Sequence, residues 1–171
     1  DLVVLNSRQI QSLSGVQLAA MSSAQLQALT TDQVVGLLTA QVQALRTEQI
    51  SALRPAQLVA MSSMQFAALS TSQVASLTSG QVAAIETRDL VILNTAQIFA
   101  LSVPQLDALR TDQIAALTSA QIRALEASDI ASLDTAQLRA FTTGQITALE
   151  TQDLAALSVQ QLRALSTDQL R

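Results

Sequence analysis

The sequence repeats every eight residues from end to end with no insertion or deletion, and this fixed period limits the folds open to it. Counting from residue 1, each octad opens on Gln or Asp, as at Gln9, Gln49 and Asp89, and continues with Leu, Ile, Val or Phe. The fourth residue is mostly Ala and the fifth nearly always Leu. Twenty-one complete octads run from Asp1 to Asp168, and another begins at Gln169. The phase never slips, and Gly15, Gly36, Gly80 and Gly144 are scattered singly, so residues 1–171 read as one uninterrupted array. The arbitrary phase of its ends leads us to expect a fragment of a longer chain. Asp1 to Asn6 is echoed by Asp89 to Asn94 eleven octads later, which points to growth by duplication of blocks.

One continuous helix cannot use this period. Eight residues advance about 80° beyond two full turns, so the Leu stripe would wind around the whole helix surface. Strands fit no better, because apolar residues at positions two, four and five do not alternate. The octad does encode a helix start. In Leu29 to Val34, Thr30 is placed to cap a helix and Gln33, at N3, to reach back to the Thr30 N–H, while Leu29 and Val34 form a hydrophobic staple. Ser22 with Gln25, Ser62 with Gln65, Thr118 with Gln121, Asp134 with Gln137 and Ser166 with Gln169 repeat the pattern. Fourteen of twenty-one cap positions carry Ser, Thr, Asn or Asp. The prolines agree, since Pro55 falls at N1 and Pro104 at N2, where a missing N–H costs nothing.

Such a unit cannot stand alone. Burying one Leu, one Ile or Val and one Ala yields roughly 4 to 5 kcal/mol, against roughly 8 to 16 for fixing eight residues of backbone. The expected fold is an all-α solenoid of short capped helices, with Leu13, Leu29, Leu45, Leu69, Leu101, Leu117, Leu133 and Leu149 in the core beside Ile50, Ile98, Ile114 and Ile130. Phe66 and Phe141 also occupy regular core positions. Ala at position four, varied to Ser12, Ser76, Ser132 and Gly36, marks a place where backbones come close.

The third position suggests how many octads make a coil. Gln11, Gln27, Gln43, Asp107, Arg123 and Arg139 share one phase of a 16-residue period, and Val3, Ala19, Val35, Ala67, Ala83, Phe99, Ala115 and Ala131 the other. This favours two helices, and so two octads, per coil, although Ser51, Thr147, Arg163, Val59, Ala75 and Val91 count against it and a triangular coil of three octads stays open. Two octads per coil would give about ten coils and a rod on the order of 80 to 100 Å long.

The sequence contains no His, Cys, Lys, Trp or Tyr, which removes the common general base, thiol nucleophile, Schiff-base amine, zinc ligands and stacking platforms. No enzyme, catalytic residue, cofactor or metal site is therefore expected. Apolar runs such as Leu90 to Leu93 are far shorter than the roughly 20 residues of a membrane span, so no membrane insertion is expected.

Three features invite chemistry. Every Glu at a cap position has Asp three residues on, in Glu86 with Asp89, Glu126 with Asp129 and Glu150 with Asp153. Paired carboxylates suit Ca2+, but Asp at N3 also suits the helix dipole, which is the reading preferred here. Three octads per coil would stack Glu126, Asp129, Glu150 and Asp153, whereas two would set the pairs on opposite sides. Thr31, Thr39, Thr47, Thr87, Thr95, Thr135, Thr143 and Thr151 could form a hydroxyl array of the ice-binding sort, though Ser and Thr are favoured around helix entries anyway. Phe99, at a variable position, is the candidate anchor for a protein partner, with Arg123, Arg139 and Arg163 as basic candidates.

Leu29-Thr-Thr-Asp-Gln-Val-Val-Gly-Leu37 resembles the opening of a TAL effector repeat over this one capping motif. Nine Arg, no Lys and a net charge of -4 do not provide the basic stripe that phosphate binding needs, so nucleic-acid binding is not expected. Over the full chain, the Leu-Ser/Thr-x-x-Gln-Leu/Ile-x-Ala pattern resembles octapeptide arrays of large repetitive bacterial secreted or surface proteins. That resemblance implies a structural or adhesive segment at the cell surface or outside the cell. It carries no catalytic residue across. The expected role is a spacer or scaffold whose partners are neighbouring repeats, with a protein-binding solenoid as the alternative.

Overall fold

The computed structural model describes residues 4–171. Val3 and the opening of the Asp1 echo lie outside them. Among the described residues, twenty short α-helices follow one another from α1 (Ser7–Gln11) to α20 (Val159–Ala164), with no strand. Each spans four to six residues and is joined to the next by a short extended corner. The N-caps sit where the octad predicts. Ser14, Ser22, Thr30, Ser62, Ser70, Thr78, Thr118 and Thr142, for example, all accept the N3 amide.

The helices pack three apart. α2 (Gly15–Ala20) lies against α5 (Thr39–Ala44), α3 (Ser23–Gln27) against α6 (Thr47–Ala52), and the same step continues to α17 (Thr135–Arg139) against α20. A coil therefore holds three octads and has three sides. The two-octad, 16-residue coil favoured by the third position is wrong. Gln11, Gln27, Gln43, Val35, Phe99, Arg123 and Arg139 all face outward, so their alternation is not set by the core. Twenty-one octads taken three at a time make seven coils. At a helix spacing of about 8 to 10 Å the rod is on the order of 60 to 70 Å long, shorter than the two-octad coil would give.

The core runs along the axis. Ile50, Leu58, Phe66, Val74, Leu90, Ile98, Ile114 and Ile130, at position two, are fully buried, and the corner leucines Leu29, Leu45, Leu69, Leu101, Leu117 and Leu133 are 0 to 5% exposed. Leu13 and Leu149, also expected inside, are only partly buried. Neighbouring coils complete each other's burial: Leu154, Leu162 and Leu170, in the last coil, are 39%, 39% and 63% exposed, while most of their equivalents are fully covered.

The small residue at position four has a geometric cause. A Cβ added at Gly15, the first residue of α2, would lie 2.7 Å from the Cβ of Ala44, the last of α5. One added at Gly36, at the end of α4 (Thr31–Val35), would lie 3.3 Å from the Cβ of Ser7, the first residue of α1. The end of each helix thus closes on the start of the helix beneath it, and a long side chain at either place would hold the coils apart.

Candidate functional site

The recurring chemistry of the rod is at its corners. Gln49 accepts the Arg46 N–H through Oε1 at 2.8 Å, the bond the octad predicts. Its Nε2 then donates to the carbonyls of Leu18 at 2.9 Å and Met21 at 2.7 Å, in the coil below. The same amide reach to a corner carbonyl of the coil below recurs from Gln33 and Gln41 to Gln161 and Gln169. One buried side chain caps its own helix and fastens it to the carbonyls that end the helix beneath, groups that a short helix otherwise leaves unpaired. The glutamine column is expected from the sequence both to cap and to hydrogen-bond between coils, but the carbonyls it reaches are not legible there. The signal for the inter-coil bonds was that Gln persists where the cap residue is Leu38, Arg46, Arg54 or Arg110, none of which makes a side-chain cap, yet each donates its N–H to Gln.

The arginine caps add their own links between coils. Guanidinium groups of Arg46, Arg54 and Arg110 donate to the carbonyls of Ala19, Leu29 and Ala83. Arg110 also donates to Asp112 at 3.0 and 2.9 Å, and this side-chain bond holds the exposed Asp112 carboxyl below its ordinary value. Because the folded value is depressed, that small contribution is present above the ordinary carboxylate pKa and is lost as pH falls through the lowered one.

Three described octads replace the glutamine with Asp, which has no N–H to give. Asp89 in α11 (Thr87–Leu90) is 1% exposed. Its Oδ1 accepts the Ser63 hydroxyl at 2.6 Å, and its Oδ2 is, among the described residues, the one buried side-chain polar atom with no hydrogen bond. Among the described residues, the Met61 carbonyl, which a glutamine at 89 would reach, receives no donor. Arg88 lies nearby, its Nε 2.8 Å from Glu86 and 3.6 Å from Asp89. Asp89→Gln should restore the clip and raise stability by about 1 to 3 kcal/mol, read as a higher urea midpoint; a lower midpoint would show that the carboxylate is needed.

Three octads per coil bring the other two acidic pairs together. α16 (Ala127–Ser132), capped by Glu126, packs against α19 (Thr151–Ala156), capped by Glu150. A cleft of about 500 Å3 opens beside them, lined by Phe99, Arg123, Leu125, Glu126, Glu150 and Asp153 among others. Asp129 and Asp153 accept the N–H of Glu126 at 3.0 Å and of Glu150 at 2.7 Å. Among the described residues, no three acidic side chains stand close enough to hold a metal by themselves.

The anchor residues divide between two sides of the rod. Phe99, 56% exposed, ends α12 (Thr95–Phe99), and Arg123 follows α15 (Ser119–Ile122), the helix stacked on it. Both reach the acidic cleft. Arg139 and Arg163 lie elsewhere, on α17 and α20, where Arg139 donates to the Ala164 carbonyl at 3.1 Å. The threonines also separate. Thr47, Thr95 and Thr143 share one side, Thr39, Thr87 and Thr135 a second, and Thr31 and Thr151 the third, so the eight form no single array. First-turn hydroxyls also tie coils together, as Ser79 donates to the Pro104 carbonyl at 2.9 Å.

A family described as the ALTTAQ repeat matches residues 1–31, 16–47, 23–55, 45–79, 82–119, 114–151 and 146–171. The chain belongs to the ALTTAQ repeat family. No curated protein matches it. The seven matches overlap and together tile nearly the whole chain, so these ALTTAQ repeats form a tandem array in sequence as they do in space.

Proposed function

We propose that this run of ALTTAQ repeats is a non-catalytic spacer or scaffold within a large bacterial secreted or surface protein. The observation that carries the reading is the glutamine clip, which joins each coil to the next by the same bonds along the rod. A rod fastened only between neighbours holds its ends at a fixed separation, and its length scales with the number of coils. The bacterial, extracellular setting rests on the resemblance to octapeptide arrays alone. The absence of an enzyme is supported by the lack of His, Cys, Lys, Tyr and Trp.

The second reading, protein recognition, is favoured by the exposed ring of Phe99 beside the acidic cleft. Two deletions in the full-length parent, each of three octads, separate the readings. Removing residues 73–96 keeps every downstream helix on its own side, and removing residues 121–144 dismantles the cleft. A spacer folds and works after either deletion, with small-angle scattering giving a rod shorter by about 8 to 10 Å. Retained folding with capture of a defined protein lost only in the second deletion would replace the spacer with a binder.

A further inference from the structure

We propose that the side of the rod built from α2, α5, α8 (Ser63–Ala67), α11, α14 (Thr111–Ala116), α17 and α20 pairs with the same side of a second copy of the chain, the two rods lying parallel about a twofold axis along their length. The exposed apolar side chains single this side out. Val16, Leu38, Met64, Ile92 and Val159 all stand on it, against Val35 and Val103 on another side and Phe99 on the last. Val16 and Met64, each at the second residue of its helix, are 80% and 74% exposed. Residues 14–20, 38–44 and 62–68, which form three consecutive coils of this side, contain no charged residue. Large apolar groups gathered on an uncharged face mark a contact surface rather than a wetted one.

Two like sides meet face to face in two ways. With the twofold axis along the rods, equivalent coils lie at the same height and their helices run antiparallel, so the start of each helix meets the end of its counterpart. Val16 then faces Ala19 of the second copy, Met64 faces Ala67 and Asp112 faces Ala115, a large residue opposite a small one each time. In α17 the match is one of charge. Asp134 caps the start of the helix and Arg139 ends it, both are exposed, and neither belongs to an ion pair among the described residues. The axis sets Asp134 of each copy against Arg139 of the other. Glu86 with Arg88, and Arg110 with Asp112, are already paired within the chain and bring no free charge to the contact. With the axis across the rods, α2 and α5 would instead lie on α20 and α17, burying Arg163, Asp134 and Arg139 unpaired against apolar side chains, which is costly.

Each helix of the side thus supplies both members of the match, which is what a self-complementary surface requires. The contact is also large enough to hold. A strip about 60 to 70 Å long and about 10 Å wide covers about 600 to 700 Å2 on each copy, within the roughly 600 to 1,000 Å2 per partner of stable complexes.

The test is sedimentation equilibrium of the 171-residue chain up to about 100 μM, where a species of twice 18.0 kDa is expected. Met64→Glu should weaken pairing at least about tenfold while the helical circular dichroism stays unchanged, since the side chain stands in solvent in the single rod. Arg139→Asp, which sets two acids against each other, should weaken it about tenfold. Phe99→Glu, on another side, should leave it unchanged. Orientation is read separately from spin labels at Gln160→Cys, in a chain with no cysteine of its own. Labels within about 25 Å of each other are expected for parallel rods, against about 50 to 60 Å for antiparallel ones. An 18.0 kDa monomer throughout, a dimer indifferent to Met64→Glu, a dimer lost in Phe99→Glu, or widely separated labels would each overturn the proposal.

Discussion

Replacing Gln113 by Leu should cost about 3 to 6 kcal/mol of stability, and the same change at Gln25 should cost only about 0.5 to 2. Gln113 is fully buried. It accepts the Arg110 N–H at 2.8 Å and donates to the carbonyls of Val82 at 2.9 Å and Ile85 at 2.7 Å. Leucine fills much of the volume but leaves the Arg110 N–H and the Ile85 carbonyl unpaired away from water. Val82 keeps only the turn-closing bond from Ile85. Arg110 has no side-chain cap with which to compensate. Gln25 is exposed in the first coil and, among the described residues, makes only the reciprocal bonds with Ser22, at 2.8 and 3.2 Å. Urea unfolding of the two variants therefore measures the inter-coil half of the clip against the capping half. Equal losses would mean that capping is the whole role of the glutamine.

Phe66→Ala should cost about 3 to 5 kcal/mol, and Phe66→Leu about 1. Phe66 is fully buried at position two of α8 (Ser63–Ala67). Its counterpart in the helix below is Val42 and in the next octad Val74, both smaller. Alanine there opens a cavity that short helices, fixed at both ends by clips, cannot collapse to fill. Leucine is the commonest residue at this position of the octad. The check is thermal unfolding of both variants with hydrogen exchange along the rod. Because each coil touches only its neighbours, protection should fall most in the coils that contain and flank residue 66. A uniform fall from one end of the rod to the other would contradict a stack of nearest-neighbour units.

The octad by itself determined everything that lies within one repeat. Thr30 and Gln33 cap a helix through mutual bonds, Leu29 must turn the chain, Pro55 is tolerated where it falls, and Val34 and Leu29 must be buried. All of this follows from local geometry, and the all-helical solenoid follows from it in turn. Only the tertiary structure decided the number of octads in a coil. The bonds that set it run from Gln49 to Leu18 and Met21 and from each later glutamine to the same places. Since nearly every octad offers the same donor and the same carbonyls, the sequence holds no mark that distinguishes a partner three octads back from one two octads back. The third position could not supply that mark, because Gln27, Phe99 and Arg123 face outward and touch no core. The acidic cleft was hidden for the same reason. Glu126 with Asp129 and Glu150 with Asp153 are visible in the sequence as two separate pairs, and Glu126, Glu150 and Asp153 border one cleft only because three helices, rather than two, close each turn of the rod.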